Sequence, residues 1–159
     1  MPDIVPSKLI ESRIYELRGL KVILDSDLAD LYGVETRVLN QNVGRNRARF
    51  PADFAFRLTS EEFAQLRSQN VTSSRGGRRY PPWAFTEHGI LMLSNILKSD
   101  RAIRVSIQII RVFNAMRQMV GEYRELIDKI QKIEKRQDSE SKEIWKAIRL
   151  IQRNILLDD

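Results

Sequence analysis

Cysteine is absent from the 159 residues, so the chain can form no disulfide and no thiolate zinc site. Histidine is nearly absent: the single copy, His88, opens an apolar stretch and has no dense acidic cluster to share a metal with. A lone histidine in that setting is a packing or surface residue more often than a catalyst, and no nucleophile elbow accompanies it. The glycine pair Gly76-Gly77 lacks the spacing and the lysine-serine ending of a nucleotide loop. No apolar run reaches the roughly 18 residues that a membrane helix needs, and Met1–Ile10 carries no signal-peptide pattern. These absences lead to the expectation of a cytoplasmic protein with no cofactor, no metal, no membrane contact and no enzymatic activity. What is present is 42% hydrophobic residues, which suits a globular core in one compact domain plus an appendage.

Negative charge is scarce where positive charge gathers. The net charge is +6, but residues 1–36 carry four Lys/Arg against seven Asp/Glu, and residues 118–159 balance at nine of each. Residues 37–117 hold fourteen Lys/Arg against five Asp/Glu, a local net of +9. Between Phe63 and Thr86 there are four arginines and no acid at all. A solubilising surface mixes both signs, whereas a localised basic field attracts polyanions, most often nucleic acid.

That field begins inside the segment Leu24–Phe50, which reads as two short helices joined by a tight turn. Asp25 or Ser26 is the expected cap of the first, with Leu28, Ala29, Leu31 and Tyr32 as its apolar face. Gly33 supplies a left-handed residue to close it. Thr36 is the expected N-cap of the second, with Val34, Leu39 and Val43 pointing back at the first. The late apolar position falls on Asn42 and Gly44 weakens the end, so the second helix is expected to be rotated or short. Thr36, Arg37, Asn40, Gln41 and Arg45 are left facing outward, side chains that suit base edges and phosphates in a major groove. This is a helix-turn-helix reading; the bland alternative is a helical hairpin with a solvated polar face.

Around it, Ile14–Leu17 and Lys21–Leu24 alternate about Arg18-Gly19 as a small hairpin, and Phe54–Leu58 alternates as a strand. Phe50-Pro51 ends the second helix. Thr59 or Ser60 with Glu62 resembles a capping box that opens a short helix to about Ser68. Gln69–Pro82 reads as a mobile loop or hairpin, in which Arg75, Arg78 and Arg79 are placed to hold phosphates or a narrow minor groove. Trp83–Phe85 is a returning strand, and Thr86 with Glu87 starts an apolar helix. Tyr80 and Trp83 could instead stack on unpaired bases, which is the case for an RNA or single-strand binder.

Ser99 or Asp100 caps the next helix, whose face is expected to be Ile103, Ile107, Ile110 and Phe113. Beyond it, Val120, Tyr123, Ile127, Ile130, Ile144, Ile148, Ile151 and Ile155 track a heptad, interrupted where Glu134, Gln137 and Ser141 take its core positions. Arg136–Ser141 is either a polar interruption in one helix or the turn of a hairpin. The stripe is read as a self-association element, the alternative being a helix folded back on its own domain.

Several phrases in order, from IYELRGLKVILDSDLADLYGVETRVLNQNVGRNRARFPADFAFRLTSEEF through LRSQNVTSS and GGRRYPPWAFTEHGILMLSNILKSDRAI to IIRVFNAMR, resemble the phage ORF-six amino-terminal DNA-binding domain, grouped with the KilA-N domains. The likeness covers Ile14–Arg117. Its motif positions fall here on Leu24-Asp25, Asp27-Leu28-Ala29, Tyr32-Gly33-Val34, Arg45-Asn46, Arg49-Phe50-Pro51, Gly76-Gly77-Arg78-Arg79 and Phe85-Thr86-Glu87. It implies a sequence-specific DNA-binding module of phage or prophage type, found in regulators and antirepressors.

The expectation is therefore an α+β, helix-turn-helix-containing DNA-binding domain over residues 10–117, with small β-hairpins and an arginine-rich loop. A long helical, coiled-coil-like region over 118–159 follows, which joins two or more copies. Arg37, Asn40, Gln41 and Arg45 would read the major groove, Arg47 and Arg49 would fix phosphates, and Arg75, Arg78 and Arg79 would hold the flank. The rivals are the RNA or single-strand binder and an antirepressor whose helical tail captures another regulator.

Overall fold

The computed structural model describes residues 4–69 and 80–157, the last three of these by backbone alone. The order is α1 (Ser7–Ser12), β1 (Ile14–Leu17), β2 (Leu20–Leu24), α2 (Asp25–Tyr32), α3 (Thr36–Arg45), a 3-10 turn (Arg47–Arg49), β3 (Ala55–Arg57), α4 (Ser60–Gln69), β4 (Trp83–Phe85), α5 (Glu87–Leu97) and α6 (Asp100–Leu157). This is an α+β architecture, and by its contacts the chain divides into residues 1–114 and 115–159.

The four strands form one antiparallel sheet in the order β1-β2-β4-β3. Arg18 and Gly19 both take positive φ, 54° and 74°, the two-residue turn whose twist matches a hairpin, and it joins β1 to β2 as the alternation predicts. β3 is shorter than the pattern Phe54–Leu58: Leu58 N–H still reaches its register partner, the Pro82 carbonyl, at 3.0 Å, but Pro82 has no N–H to return the bond. The period of two puts Val22, Leu24, Phe56 and Ala84 into one buried cluster with Leu58 and Leu66 of α4. Phe85 lies on the opposite side, paired with Ile23 and Ala55 and edge-on to Phe50 at 6.0 Å. Against it packs α5, where a Cβ on Gly89 would stand 2.1 Å from the Phe54 carbonyl oxygen. Only glycine lets the two backbones approach so closely.

The capping box forms on Thr59: its amide donates to Glu62 Oε1 at 2.9 Å, and its Oγ1 accepts from Glu62 N–H at 3.1 Å. Arg18 closes on the same carboxylate from Nε and Nη2, at 3.0 and 2.9 Å, tying the hairpin turn to α4. The Arg18 hydrogen bonds, joined by that from the Thr59 amide, lower the Glu62 pKa from 4.5 to about 2. A depressed carboxylate stabilises the fold fully above its unfolded value and loses that contribution as pH falls through the folded one. Glu62→Gln should thus cost about 1 kcal/mol at neutral pH and flatten the fall in Tm between pH 4.5 and 2. A thermal unfolding series checks this, and an acid limb identical to the parent's would refute it.

Two helices depart from expectation. α1 was not signalled, because a six-residue element is too short for a periodic pattern; it buries Ile10 completely. In α6, Ser99 Oγ accepts from Ala102 N–H at 3.0 Å, one of the two expected caps. The buried face, however, is Ala102, Val105, Ile109, Val112 and Phe113, while Ile103 and Ile107 are exposed and Ile110 half-buried. Small residues explain the phase. Ser106 meets the Tyr32 hydroxyl at 2.7 Å, a close approach that an isoleucine would block, and burial pushes that hydroxyl's pKa up despite the bond. Two residues on, the buried Gln108 accepts from Ile4 and Val5 N–H through Oε1, at 3.0 and 3.2 Å, and donates to the Val5 carbonyl at 2.8 Å. α6 itself runs unbroken from Asp100 to Leu157, so Arg136–Ser141 is a polar interruption in one helix and not a hairpin turn.

Candidate functional site

α2 and α3 are joined by the three residues Gly33–Glu35. Leu28, Ala29, Leu31 and Tyr32 are buried, as their spacing predicts. Gly33 closes α2 at φ 71°, with its own N–H on the Asp30 carbonyl at 3.2 Å and Val34 N–H on the Ala29 carbonyl at 3.0 Å. These paired bonds satisfy the last carbonyls of the helix and turn the chain sharply. Arg101 Nη2 donates to the Leu31 carbonyl at 3.1 Å, a cation at the negative end of the helix dipole. At the other end, Arg13 bonds Asp27 and reaches Asp30 at 3.4 Å. Burial raises the pKa of Asp27, and the Arg13 bond opposes that rise.

The caps sit one residue from their expected places. Leu24 precedes α2, so Asp25 is its first helical residue and turns its side chain inward, fully buried; Glu35 precedes α3, so Thr36 is its first residue. Asp25 Oδ1 accepts from Ser26 N–H at 2.7 Å, while Oδ2 accepts from Asn40 Nδ2 at 3.0 Å and from Trp83 N–H at 3.2 Å. One buried carboxylate therefore joins α2, α3 and β4. Pattern alone gave Asp25 only a capping role. The signal that was there is an acid placed directly after the buried run Val22-Ile23-Leu24.

Asn40 is accordingly half-buried, with its amide nitrogen engaged by Asp25, while its Oδ1 is buried without a hydrogen-bond partner among the described residues. It holds α3 in place from behind. Arg37, Gln41 and Arg45 are exposed at four-residue spacing, one stripe along the outer face of α3. Thr36 is half-buried at the edge. Arg37 lies 3.6 Å from Glu35, both 74% exposed, a pair too solvated to hold the guanidinium. Leu39 and Val43 are buried, and Asn42 donates to the Val38 carbonyl at 3.1 Å. The helix is thus rotated so that Val43 takes the late apolar position, and it runs through Gly44 to Arg45.

The 3-10 turn that follows exposes Arg47, Ala48 and Arg49. The Arg47 guanidinium lies 4.6 Å from the centre of the Trp83 ring, an arrangement not signalled by the sequence. Arg57 Nε donates to the Pro81 carbonyl at 3.3 Å, which fixes the chain just before β4. Tyr80 is 66% exposed. Arg75, Arg78 and Arg79 lie outside the described residues. The arrangement brings Arg37, Gln41, Arg45, Arg47 and Arg49 onto α3 and the turn after it, and takes Asn40 inward. His88 stacks on Phe54 with ring centres 5.4 Å apart. Among the described residues no group of three acidic, histidine or cysteine side chains is placed to hold a metal, and no helix is long and apolar enough to cross a membrane.

No similar curated protein and no similar solved structure was found. The model of the ORF6N domain matches residues 12–96, from the start of the sheet through nearly all of α5. With more than half of its length inside that match, the chain belongs to the ORF6N domain family, a phage-type regulatory family.

Proposed function

We propose that this chain is a sequence-specific double-stranded DNA-binding protein, a phage or prophage-type transcriptional regulator or antirepressor that acts as a homodimer through residues 118–159. The observation that carries the reading is the exposed stripe Arg37–Gln41–Arg45, continued by Arg47 and Arg49, on a helix anchored from behind by Asp25. A helix presented this way, with α2 and a tight turn before it, suits a helix-turn-helix in which α3 enters the major groove. Arginine and glutamine on its outer face match guanine and adenine edges, and the arginines of the following turn reach phosphates. Asn40 contributes by setting the angle of α3. Arg75, Arg78 and Arg79 would grip the flank. No catalytic step, cofactor or membrane enters the reading, and the cytoplasm is its setting.

The single-strand reading is weakened by one contact, since the face of Trp83 is covered by Arg47. Competition decides between the two. A labelled random-sequence duplex bound by the full chain should be displaced by unlabelled duplex and not by equal masses of single-stranded DNA or RNA. Preferential displacement by either single strand would overturn the assignment.

A further inference from the structure

Residues 115–154 of α6 form a helix with an apolar seam that is exposed along most of its length. Val120, Tyr123, Ile130, Ile144, Ile148 and Ile151 are all exposed at heptad core positions, and Ile127 is half-exposed. The same seam carries Glu134, Gln137 and Ser141 at its centre. Two cations near that centre are paired within their own helix: Lys132 sits 3.4 Å from Asp128 and Arg136 sits 3.9 Å from Glu140.

The seam's two ways of meeting a second copy differ at Glu134. Parallel and in register, every core residue faces its own equivalent, so two Glu134 carboxylates meet within an apolar seam and repel. It also sets Glu140 beside the indole of Trp145 of the partner subunit. Antiparallel, with the two-fold axis between Lys135 and Arg136, each Glu134 faces Gln137 of the partner subunit, whose amide can donate to it. Three apolar layers then match, Ile127 with the partner's Ile144, Tyr123 with the partner's Ile148 and Val120 with the partner's Ile151, while Ile130 meets the small Ser141 of the partner subunit. Arg124 falls beside the partner's Trp145, cation against ring face.

We propose that residues 115–154 pair with the same segment of a second copy in antiparallel orientation, with Glu134 opposite Gln137 of the partner subunit. This rests on the reading that the tail makes the chain a dimer, and it adds the orientation and register. The chain's lack of cysteine makes the test direct. Single variants Ile127→Cys and Ile144→Cys of the full chain are oxidised separately and as a mixture. Core layers of a paired coil bring α-carbons within disulfide reach, and residues in other layers are not. The mixture should cross-link strongly and each variant alone should not; Ile130→Cys with Ser141→Cys should repeat the pattern. Self-linking of each single variant would establish parallel pairing and overturn the proposal, as would a dimer in which neither mixture links. Sedimentation of the unsubstituted chain separates the two levels. A monomer there would remove the dimer reading itself, whereas a dimer with self-linking variants would remove only the orientation.

Discussion

Asp25→Ala is expected to destabilise residues 4–114 by about 3–5 kcal/mol and to weaken duplex binding well beyond what that loss of stability alone would cause. The carboxylate is fully buried and accepts from Ser26 N–H and, on other elements, from Asn40 Nδ2 and Trp83 N–H. Alanine would strand Asn40 Nδ2 and Trp83 N–H, and each buried donor without a partner costs about 1–3 kcal/mol. It would also remove the link that fixes α3 against α2 and β4, so the arginine stripe would lose its fixed angle. Asn40→Ala provides the control, because it releases α3 while Asp25 keeps its bonds to Ser26 and Trp83. It should unfold less readily than Asp25→Ala and still bind duplex DNA more weakly than the parent. Urea denaturation and duplex titration measure both quantities, and an Asp25→Ala midpoint equal to the parent's would remove Asp25 from its central role.

The second large effect concerns salt. If Arg47 and Arg49 neutralise two phosphates, Arg47→Ala with Arg49→Ala should flatten the slope of log affinity against log salt by roughly two. Both side chains are exposed, so their loss should change stability little beyond the contact of Arg47 with Trp83. The same change should lower affinity about tenfold at 50 mM salt relative to its effect at 200 mM. Fluorescence anisotropy across a salt series reads the slope. A slope equal to the parent's would show that these arginines do not touch phosphate.

Local rules made much of this fold legible. Positive φ at Arg18-Gly19 and Gly33, the Thr59–Glu62 box and the Thr86 cap each rest on residues a few positions apart, which is why their sequence pattern is enough to place them. What pattern could not reach was burial set by distant partners. Ala102 and Ser106 look like surface residues beside Ile103 and Ile107, yet their small size is what lets α6 lie against Tyr32. Asn40 reads as a solvent-facing residue and Asp25 as a helix cap, and only their meeting across fifteen positions turns them inward. The stripe Arg37–Gln41–Arg45 was legible because nothing among the described residues covers it, so its helical spacing alone decides its face.

The Gln108 clamp on Ile4 and Val5 joins points 104 and 103 positions apart. A ribosome releases the early residues long before the late one, so this contact cannot form while the strands and first helices emerge. It also falls outside residues 12–96, as do the fully buried Ile10, Val105 and Ile109. The stretch that the family model matches is thus smaller than the stretch that must be synthesised before the domain can close. Folding completes only when the opening turns of α6 arrive to latch the beginning of the chain.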